Sequence, residues 1–399
     1  MTEATVSSFA VILTVAVLAP IASDRLARWV LVPSVVLEML GGIVIGPDVL
    51  DLVTVDAVIG AISSMGLAAL FFLAGYEVQL ERIRGSPLRS AAAGWGLSLV
   101  LGVGGALAVG LVTDADLVGA FIVGLALTAT ALGTLLPIVR DAELLPTRFG
   151  SWVLAIGSIG EFGPIVAIAL LLSGRRPLSA AVLLVVFVVL AVGAAWLATR
   201  APAPWLSRLL SVTLGTSAQL AVRLSVLLVV LLVWVAAEFR LDTLLGAFAS
   251  GMVVRLAVST TDPHEVHVVE LKLEALAYGF FVPVFFIVSG VRFDLQSFLD
   301  SPVLWLLVPG FCVAFLIVRG LPTLLTSHHR DVPVAHRRAL ALVAASTLPL
   351  VVAITAIGVQ EGVVSTGVAA GLVGAGLLSV MVFPSTAIRV IRTPTPPSP

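Results

Sequence analysis

Long apolar segments with almost no charged side chains follow one another along the chain. A membrane-spanning helix needs about 20 predominantly apolar residues, and the sequence offers about thirteen segments near that length. Short polar breakers such as Gly46-Pro47-Asp48 and Ser301-Pro302 separate them. The approximate limits are 6–22, 29–46, 57–76, 88–112, 117–139, 150–172, 178–198, 216–237, 241–258, 273–291, 302–326, 338–357 and 363–387.

Composition also indicates a membrane protein. Charged residues make up 11% of the chain and apolar residues 59%, whereas soluble domains carry about 25% charged residues. The apolar runs do not alternate with polar residues, as the strands of a membrane barrel would. We therefore expect an all-α integral membrane protein. Its one cysteine, Cys312, excludes an internal disulfide.

The loop charges predict an orientation. If the N-terminus lies outside, most of the 22 basic residues fall in inward loops, as the positive-inside rule requires. An odd number of spans then places the C-terminus in the cytoplasm. No basic stretch precedes the first apolar segment, so we expect no cleaved signal peptide. The predicted location is the plasma membrane of a bacterium, with several passes.

Three landmarks recur in order in the two halves of the chain, and each pair lies an odd number of spans apart. This pattern predicts an inverted-topology repeat, which is typical of secondary transporters; chance similarity between glycine-rich apolar segments is the alternative. The pairs are LGGIVIGP (40–47) with LGAFASGM (245–252), FFLAGYEVQL (71–80) with FFIVSGVRFDL (285–295), and ALTATALGTLLPIV (126–139) with VAASTLPLVVAI (343–354).

The third pair predicts two broken helices. Both members combine hydroxyl side chains with a proline inside an apolar run, and proline removes a helix donor and clashes with the preceding turn. Unwound backbone at membrane depth is tolerated where it is buried or lines a cavity. The hydroxyls and free carbonyls there can help to hold a cation. Two proline kinks filled by hydroxyl side chains are the alternative. The residues are Thr128, Thr130, Thr134 and Pro137, and Ser346, Thr347 and Pro349.

Few ionisable residues lie deep in the apolar segments. Glu161 is predicted ~16 Å from the inner end of its span and Arg319 ~12 Å from the inner end of its own, at 1.5 Å per residue. Charges at such depth usually face a cavity or each other. Glu161 is therefore the candidate proton and cation carrier, with a structural carboxyl as the alternative. Arg319 is a candidate for the same site, as cationic partner or competitor, with an arginine that snorkels to the interface as the alternative.

Three further charges are secondary candidates. Glu77 and Arg292 lie close to span ends at equivalent positions of the predicted repeat, where we favour interface anchoring. Glu38 precedes Gly41-Gly42, where it either takes part in function or bonds a neighbouring helix.

The residues resemble a known family. The stretches LEMLGGIVIGPDVL, LFFLAGYEVQLERIR, LTATALGTLLPIVRDAELLPTRFG, LLGAFASGMV and YGFFVPVFFIVSGVRFDL are similar to the monovalent cation:proton antiporters of the sodium/hydrogen exchanger superfamily, in the Kef-type branch. The resemblance covers roughly residues 8–388. It implies two crossed broken helices, a dimerisation domain, and a mobile core that moves like an elevator. By position it assigns the ion-binding acid to Glu161 and the basic residue to Arg319.

The chain departs from this family at the acid. Well-studied members carry Asp-Asp, Asn-Asp or Gln-Asp where this chain has Gly160-Glu161, and the first crossed helix shows Thr128-Ala129-Thr130 without an Asp. One carboxylate that binds either a proton or a cation, beside an arginine that keeps its charge, predicts electroneutral exchange. The C-terminal nucleotide-binding domain of many Kef-type members is not expected, since the sequence ends in a short proline-rich tail (393–399).

We therefore expect one transporter unit over residues 1–392. It would hold repeat 1 (about 29–172), repeat 2 (about 241–387), and linking and dimerisation helices (about 6–22 and 178–237). The expected ion and proton ligands are Glu161, Thr130, Thr128 and Ser158, with Arg319, Thr347 and Ser346 at the helix crossing.

The expected partners are Na⁺ or K⁺, H⁺, the lipid bilayer and a second copy of the chain, with no cofactor and no nucleic acid. A transport-inactive sensor or a sodium-coupled organic anion symporter are the alternatives. An enzyme is not expected, because the glycine-rich stretch 102–110 lies within a predicted span and the histidines, among them His264, His267 and His336, are expected in loops.

Overall fold

The computed structural model describes residues 2–26, 32–77, 85–112, 116–171, 219–239, 243–258, 263–300, 302–327 and 332–392, with isolated positions between 182 and 193. Regular structure in these residues is helical throughout. The helices are α1 Glu3–Leu26, α2 Ser34–Ile45, α3 Ala57–Glu77, α4 Ser86–Val112, α5 Leu117–Ala126, α6 Leu132–Asp141, α7 Arg148–Leu171, α8 Leu220–Glu238, α9 Thr243–Val258, α10 Pro263–Leu276, α11 Val282–Val291, α12 Leu295–Asp300, α13 Pro302–Phe315, α14 Leu321–Thr326, α15 Val334–Ala344, α16 Pro349–Gln360 and α17 Thr366–Arg392.

The all-α membrane prediction is confirmed. In the described part of the chain, nine helices are long and apolar enough to cross a membrane, and three shorter apolar helices accompany them. Every predicted segment but one overlaps a described helix. The exception, 178–198, lies almost wholly outside the described residues, as does the tail 393–399.

The histidine expectation is wrong at three positions. His264 and His267 lie in α10, and His336 lies in α15. Both helices begin in polar residues that precede the apolar segments 273–291 and 338–357. His328 and His329 lie outside the described residues.

The chain packs into two compact units. The first comprises Met1–Asp56, Leu80–Pro164 and Phe286–Pro399, and the second comprises Ala57–Gln79 and Ile165–Phe285. The candidate residues around the two predicted broken helices all lie in the first unit.

Glycines bring helix backbones into direct contact in each unit. In the first unit, a methyl group on Gly42 of α2 or Gly290 of α11 would collide with a carbonyl of the other helix. In the second unit, the same holds for Gly75 of α3 and Gly251 of α9. Small residues allow such close packing between membrane helices. Each contact joins one helix from either half of the predicted repeat; the repeat itself stays a prediction.

Two apolar helices are interrupted where the sequence places its hydroxyl clusters. The first interruption, residues 127–131, separates α5 from α6, and the second, residues 345–348, separates α15 from α16. Pro349 begins α16, as a proline at a helix start should. Pro137 instead lies inside α6, so the first helix breaks several residues before its proline.

Two helices contain a wide π-helical turn. Ala277–Phe281 joins α10 to α11, and Leu316–Gly320 joins α13 to α14. The second of these turns contains Arg319. Such turns are rare in helices and are frequent at functional sites.

Candidate functional site

The two interruptions meet and bond each other. The backbone N–H of Ala131 donates to the carbonyl of Ser346 at 3.0 Å. The hydroxyl of Thr130 donates to the carbonyl of Ala344, the last residue of α15, at 2.7 Å. These bonds replace helix bonds that the interruptions remove, because buried backbone groups need partners where no water is available.

Four half-helix ends converge at this meeting point. α5 and α15 end here with their carbonyls, and α6 and α16 begin here with their N–H groups. The carbonyl ends carry partial negative charge and the N–H ends partial positive charge. The meeting point can therefore interact with ions of either sign.

Arg319 supplies a complete positive charge beside the first interruption. Its side chain has 0% solvent exposure. Nε donates to the hydroxyl of Thr130 at 2.8 Å, and Nη2 donates to the carbonyl of Ile156 in α7 at 2.8 Å. Nη1 has no hydrogen-bond partner among the described residues. The guanidinium thus ties α7 to the first interruption.

The hydroxyl of Thr130 links three elements. It accepts from Arg319 and donates to Ala344, so its proton and one lone pair are both in use. The guanidinium polarises this hydroxyl, which strengthens its bond to the carbonyl end of α15, where partial negative charge lies.

α7 brings Glu161 to the same place. The N–H of Thr130 donates to the carbonyl of Gly160 at 3.0 Å, which fixes the neighbour of Glu161 against the first interruption. Glu161 is buried at 3% exposure. Ser158 precedes it by three residues, so both side chains lie on one face of α7.

Ser379 of α17 stabilises the second interruption. Its hydroxyl accepts from the N–H of Thr347 at 3.0 Å and lies 3.0 Å from the carbonyl of the same residue. A second acceptor, the carbonyl of Gly376, lies at 2.8 Å. One neutral side chain therefore serves the unwound backbone here.

The other hydroxyls of the predicted site differ in their bonding. Thr128 donates to the carbonyl of Leu125 at 2.8 Å and Ser346 to the carbonyl of Leu342 at 3.1 Å, each in the helix that precedes its interruption. The hydroxyls of Ser158 and Thr347 are buried and have no hydrogen-bond partner among the described residues. These two oxygens are available to a ligand.

The secondary candidates lie apart from these hydrogen bonds. Glu38 is buried in α2, and its Oε2 has no hydrogen-bond partner in the described part of the chain. Glu77 is the last residue of α3 and belongs to the second unit. Arg292 is exposed just after α11.

Sequence reasoning missed Ser379 and the carbonyl of Ile156. Ser379 is a lone hydroxyl in the apolar run of α17, where a serine commonly bonds its own helix, so its position alone gave little signal. A backbone carbonyl carries no sequence signal of any kind.

Comparison with known proteins agrees with this architecture. A family model described as "Sodium/hydrogen exchanger, transmembrane" matches residues 12–393. The chain therefore belongs to the transmembrane sodium/hydrogen exchanger family, and the resemblance seen in the sequence is confirmed at that level. Assignment to the Kef-type branch stays a prediction.

Two relatives show the range of the family. YjbQ of Bacillus subtilis (strain 168), named as a candidate Na⁺/H⁺ antiporter, is 26% identical over 387 residues, which are 92% of this chain and 60% of YjbQ. The Na⁺/H⁺-K⁺ antiporter GerN of Bacillus cereus is 29% identical over 265 residues, which are 65% of each chain. This chain thus matches less than two thirds of either relative's length.

A solved structure shows the same fold. The sodium proton antiporter MjNhaP1 from Methanocaldococcus jannaschii, determined at pH 8, superposes with a TM-score of 0.67 at 14% identity. The superposition covers 96% of this chain and 95% of that one. The antiporter fold predicted from the sequence is confirmed by this match.

Proposed function

We propose that the chain exchanges Na⁺ or K⁺ for H⁺ across a bacterial membrane, with Glu161 as the group that carries either ion. The observation that carries the proposal is the burial of Glu161 on α7, next to Gly160, whose carbonyl bonds the meeting point of the two interruptions. Family membership and the names of the relatives support it.

The ligands proposed for the cation are oxygens. Hard monovalent cations favour carboxylate, hydroxyl and carbonyl oxygens, and Ser158 and Thr347 offer buried hydroxyls without a partner among the described residues. Thr128 and Ser346 keep lone pairs for a ligand while their protons bond carbonyls of the preceding helices.

We propose that exchange is electroneutral, one cation for one proton. Arg319 keeps its charge through the cycle because a guanidinium is not deprotonated in proteins. Glu161 is then the one proposed group that changes its charge, and it holds a proton or a cation but never both. An elevator movement of the core and a homodimer are part of this proposal through the family resemblance.

The test uses the full-length protein in proteoliposomes with a pH-sensitive dye inside. Gradients of Na⁺, K⁺ and Li⁺ are imposed in turn, with choline as the reference cation. We expect at least one of the three to drive proton movement, and Glu161→Gln to abolish it. Glu270→Gln, which changes a partly exposed carboxylate near Arg255, is the matched control and should keep the activity.

Three results would contradict parts of the proposal. If no cation moves protons in wild-type vesicles, the proposed exchange is wrong. If Glu161→Gln still exchanges, Glu161 is not the carrier. A cation-driven current that follows the proton flux would overturn the electroneutral part.

A further inference from the structure

We infer that Gly160 is a positioning residue of this site, because its missing side chain leaves the space that the guanidinium of Arg319 occupies. This inference rests on the proposed function for its effect on transport, and on geometry alone for the pairing of the two residues.

The space is filled on both sides. A methyl group placed on Gly160 would lie 2.5 Å from Nη2 of Arg319 and 2.6 Å from the hydroxyl of Thr130. Both distances are shorter than any that packed heavy atoms normally reach. A side chain at position 160 therefore requires the guanidinium or the threonine to move.

Neither neighbour can move without losing bonds. Thr130 is held by its N–H to the carbonyl of Gly160 and by its hydroxyl to Ala344. Arg319 is held by Nε to Thr130 and by Nη2 to Ile156. Displacing the guanidinium breaks two charge-assisted hydrogen bonds in a buried region, where they are stronger than in water. A side chain at 160 and an anchored arginine at 319 thus exclude each other.

The consequence for transport follows from charge. A displaced guanidinium remains positive and stays buried beside the helix that carries Glu161. It would then compete with the transported cation for the carboxylate. We expect a side chain at 160 to weaken cation binding more than it slows the maximal rate of exchange.

The experiment is a double-mutant cycle in the full-length protein, with Gly160→Ala, Arg319→Lys and the double variant. A lysine keeps the charge but has no group in the position of Nη2. With Arg319 present, Gly160→Ala should raise the half-saturating cation concentration about tenfold, a typical coupling between contacting residues. In the Arg319→Lys background, the same change should raise it less than about threefold.

Gly163→Ala is the matched control on the same helix. A methyl group there would collide with the ring of Trp95. Its effect should be the same with arginine or lysine at position 319, since residues without shared contacts behave additively.

Thermal unfolding in detergent gives a second reading of the cycle without transport. We expect Gly160→Ala to lower the unfolding midpoint more with Arg319 present than in the Arg319→Lys background. Equal costs in both backgrounds, in both measurements, would overturn the pairing. If the unfolding midpoints of the variants are coupled but the wild-type protein shows no exchange, the pairing is supported and the proposed function is overturned instead.

Discussion

The two helix interruptions are stabilised by different chemistry. The first, residues 127–131, is held by a permanent charge, since Arg319 bonds Thr130 and through it the end of α15. The second, residues 345–348, is held by the neutral hydroxyl of Ser379. Two segments that look alike in the sequence therefore differ in their electrostatic surroundings.

Under the proposed function, this difference indicates where the cation would bind. A guanidinium repels a cation, and the hydroxyl of Thr130 already uses its proton and one lone pair. At the second interruption the hydroxyl of Thr347 has no partner in the described part of the chain. The polar groups of the first interruption thus hold the backbone in place. The second interruption is the better candidate to supply ligands for the cation.

The largest effect is expected at the first interruption, from Thr130→Val. Valine keeps the shape but leaves buried Nε of Arg319 and the carbonyl of Ala344 without their partner. We expect a loss of about 2 to 3 kcal/mol in stability and at least a ~10-fold slower exchange. The unfolding midpoint and the vesicle assay measure these effects.

Thr130→Ser is the control for that change, because it keeps the hydroxyl and removes one methyl group. It should retain most of the activity. If the valine and serine variants have the same stability and activity, the hydroxyl of Thr130 does not link Arg319 to the carbonyl of Ala344.

A smaller effect is expected at the second interruption, from Ser379→Ala. The N–H and carbonyl of Thr347 lose their partner there, at a cost of about 1 to 2 kcal/mol. Ser98→Ala is the matched control, since Ser98 is equally buried and, among the described residues, its hydroxyl bonds a carbonyl of its own helix, that of Gly94. Equal midpoints for the two variants would show that Ser379 does not support the unwound backbone.

The smallest effect on stability is expected from Thr347→Val. This hydroxyl has no hydrogen-bond partner among the described residues. The free energy of unfolding should therefore change by no more than ~0.5 kcal/mol. If the hydroxyl binds the cation, the half-saturating concentration should still rise about threefold. An unchanged half-saturating concentration would remove Thr347 from the ligands and weaken the distinction between the two interruptions.

Much of the fold was predictable, because membrane helices can be recognised in a sequence by their length and apolar composition. The helical class and most segment limits follow from that signal alone. The interruptions were also signalled, by hydroxyls and prolines in apolar runs. The position of the first break was not, since Pro137 lies within α6 and the break comes earlier. Tertiary bonds to Gly160 and Ser346 stabilise the unwound residues there.

For the site, the sequence singled out Arg319 and Glu161 as charges too costly to bury without purpose. It placed them at similar depth, and their partnership stays a prediction. Among the described residues, Arg319 donates hydrogen bonds to Thr130 and to a backbone carbonyl of α7. Which acceptor a buried guanidinium uses depends on helix packing to within an ångström, and spacing along the chain does not contain that information.

By itself the sequence determined that this chain is a helical membrane protein of the sodium/hydrogen exchanger family, with buried ionisable residues near two weakened helices. Hydrophobic length and the cost of buried charge are local properties, so the residues alone reveal them. The tertiary structure decided that Gly160 makes room for Arg319, and that Ser379 serves the second interruption. Both depend on contacts between helices far apart in the chain, which only the packed molecule brings together.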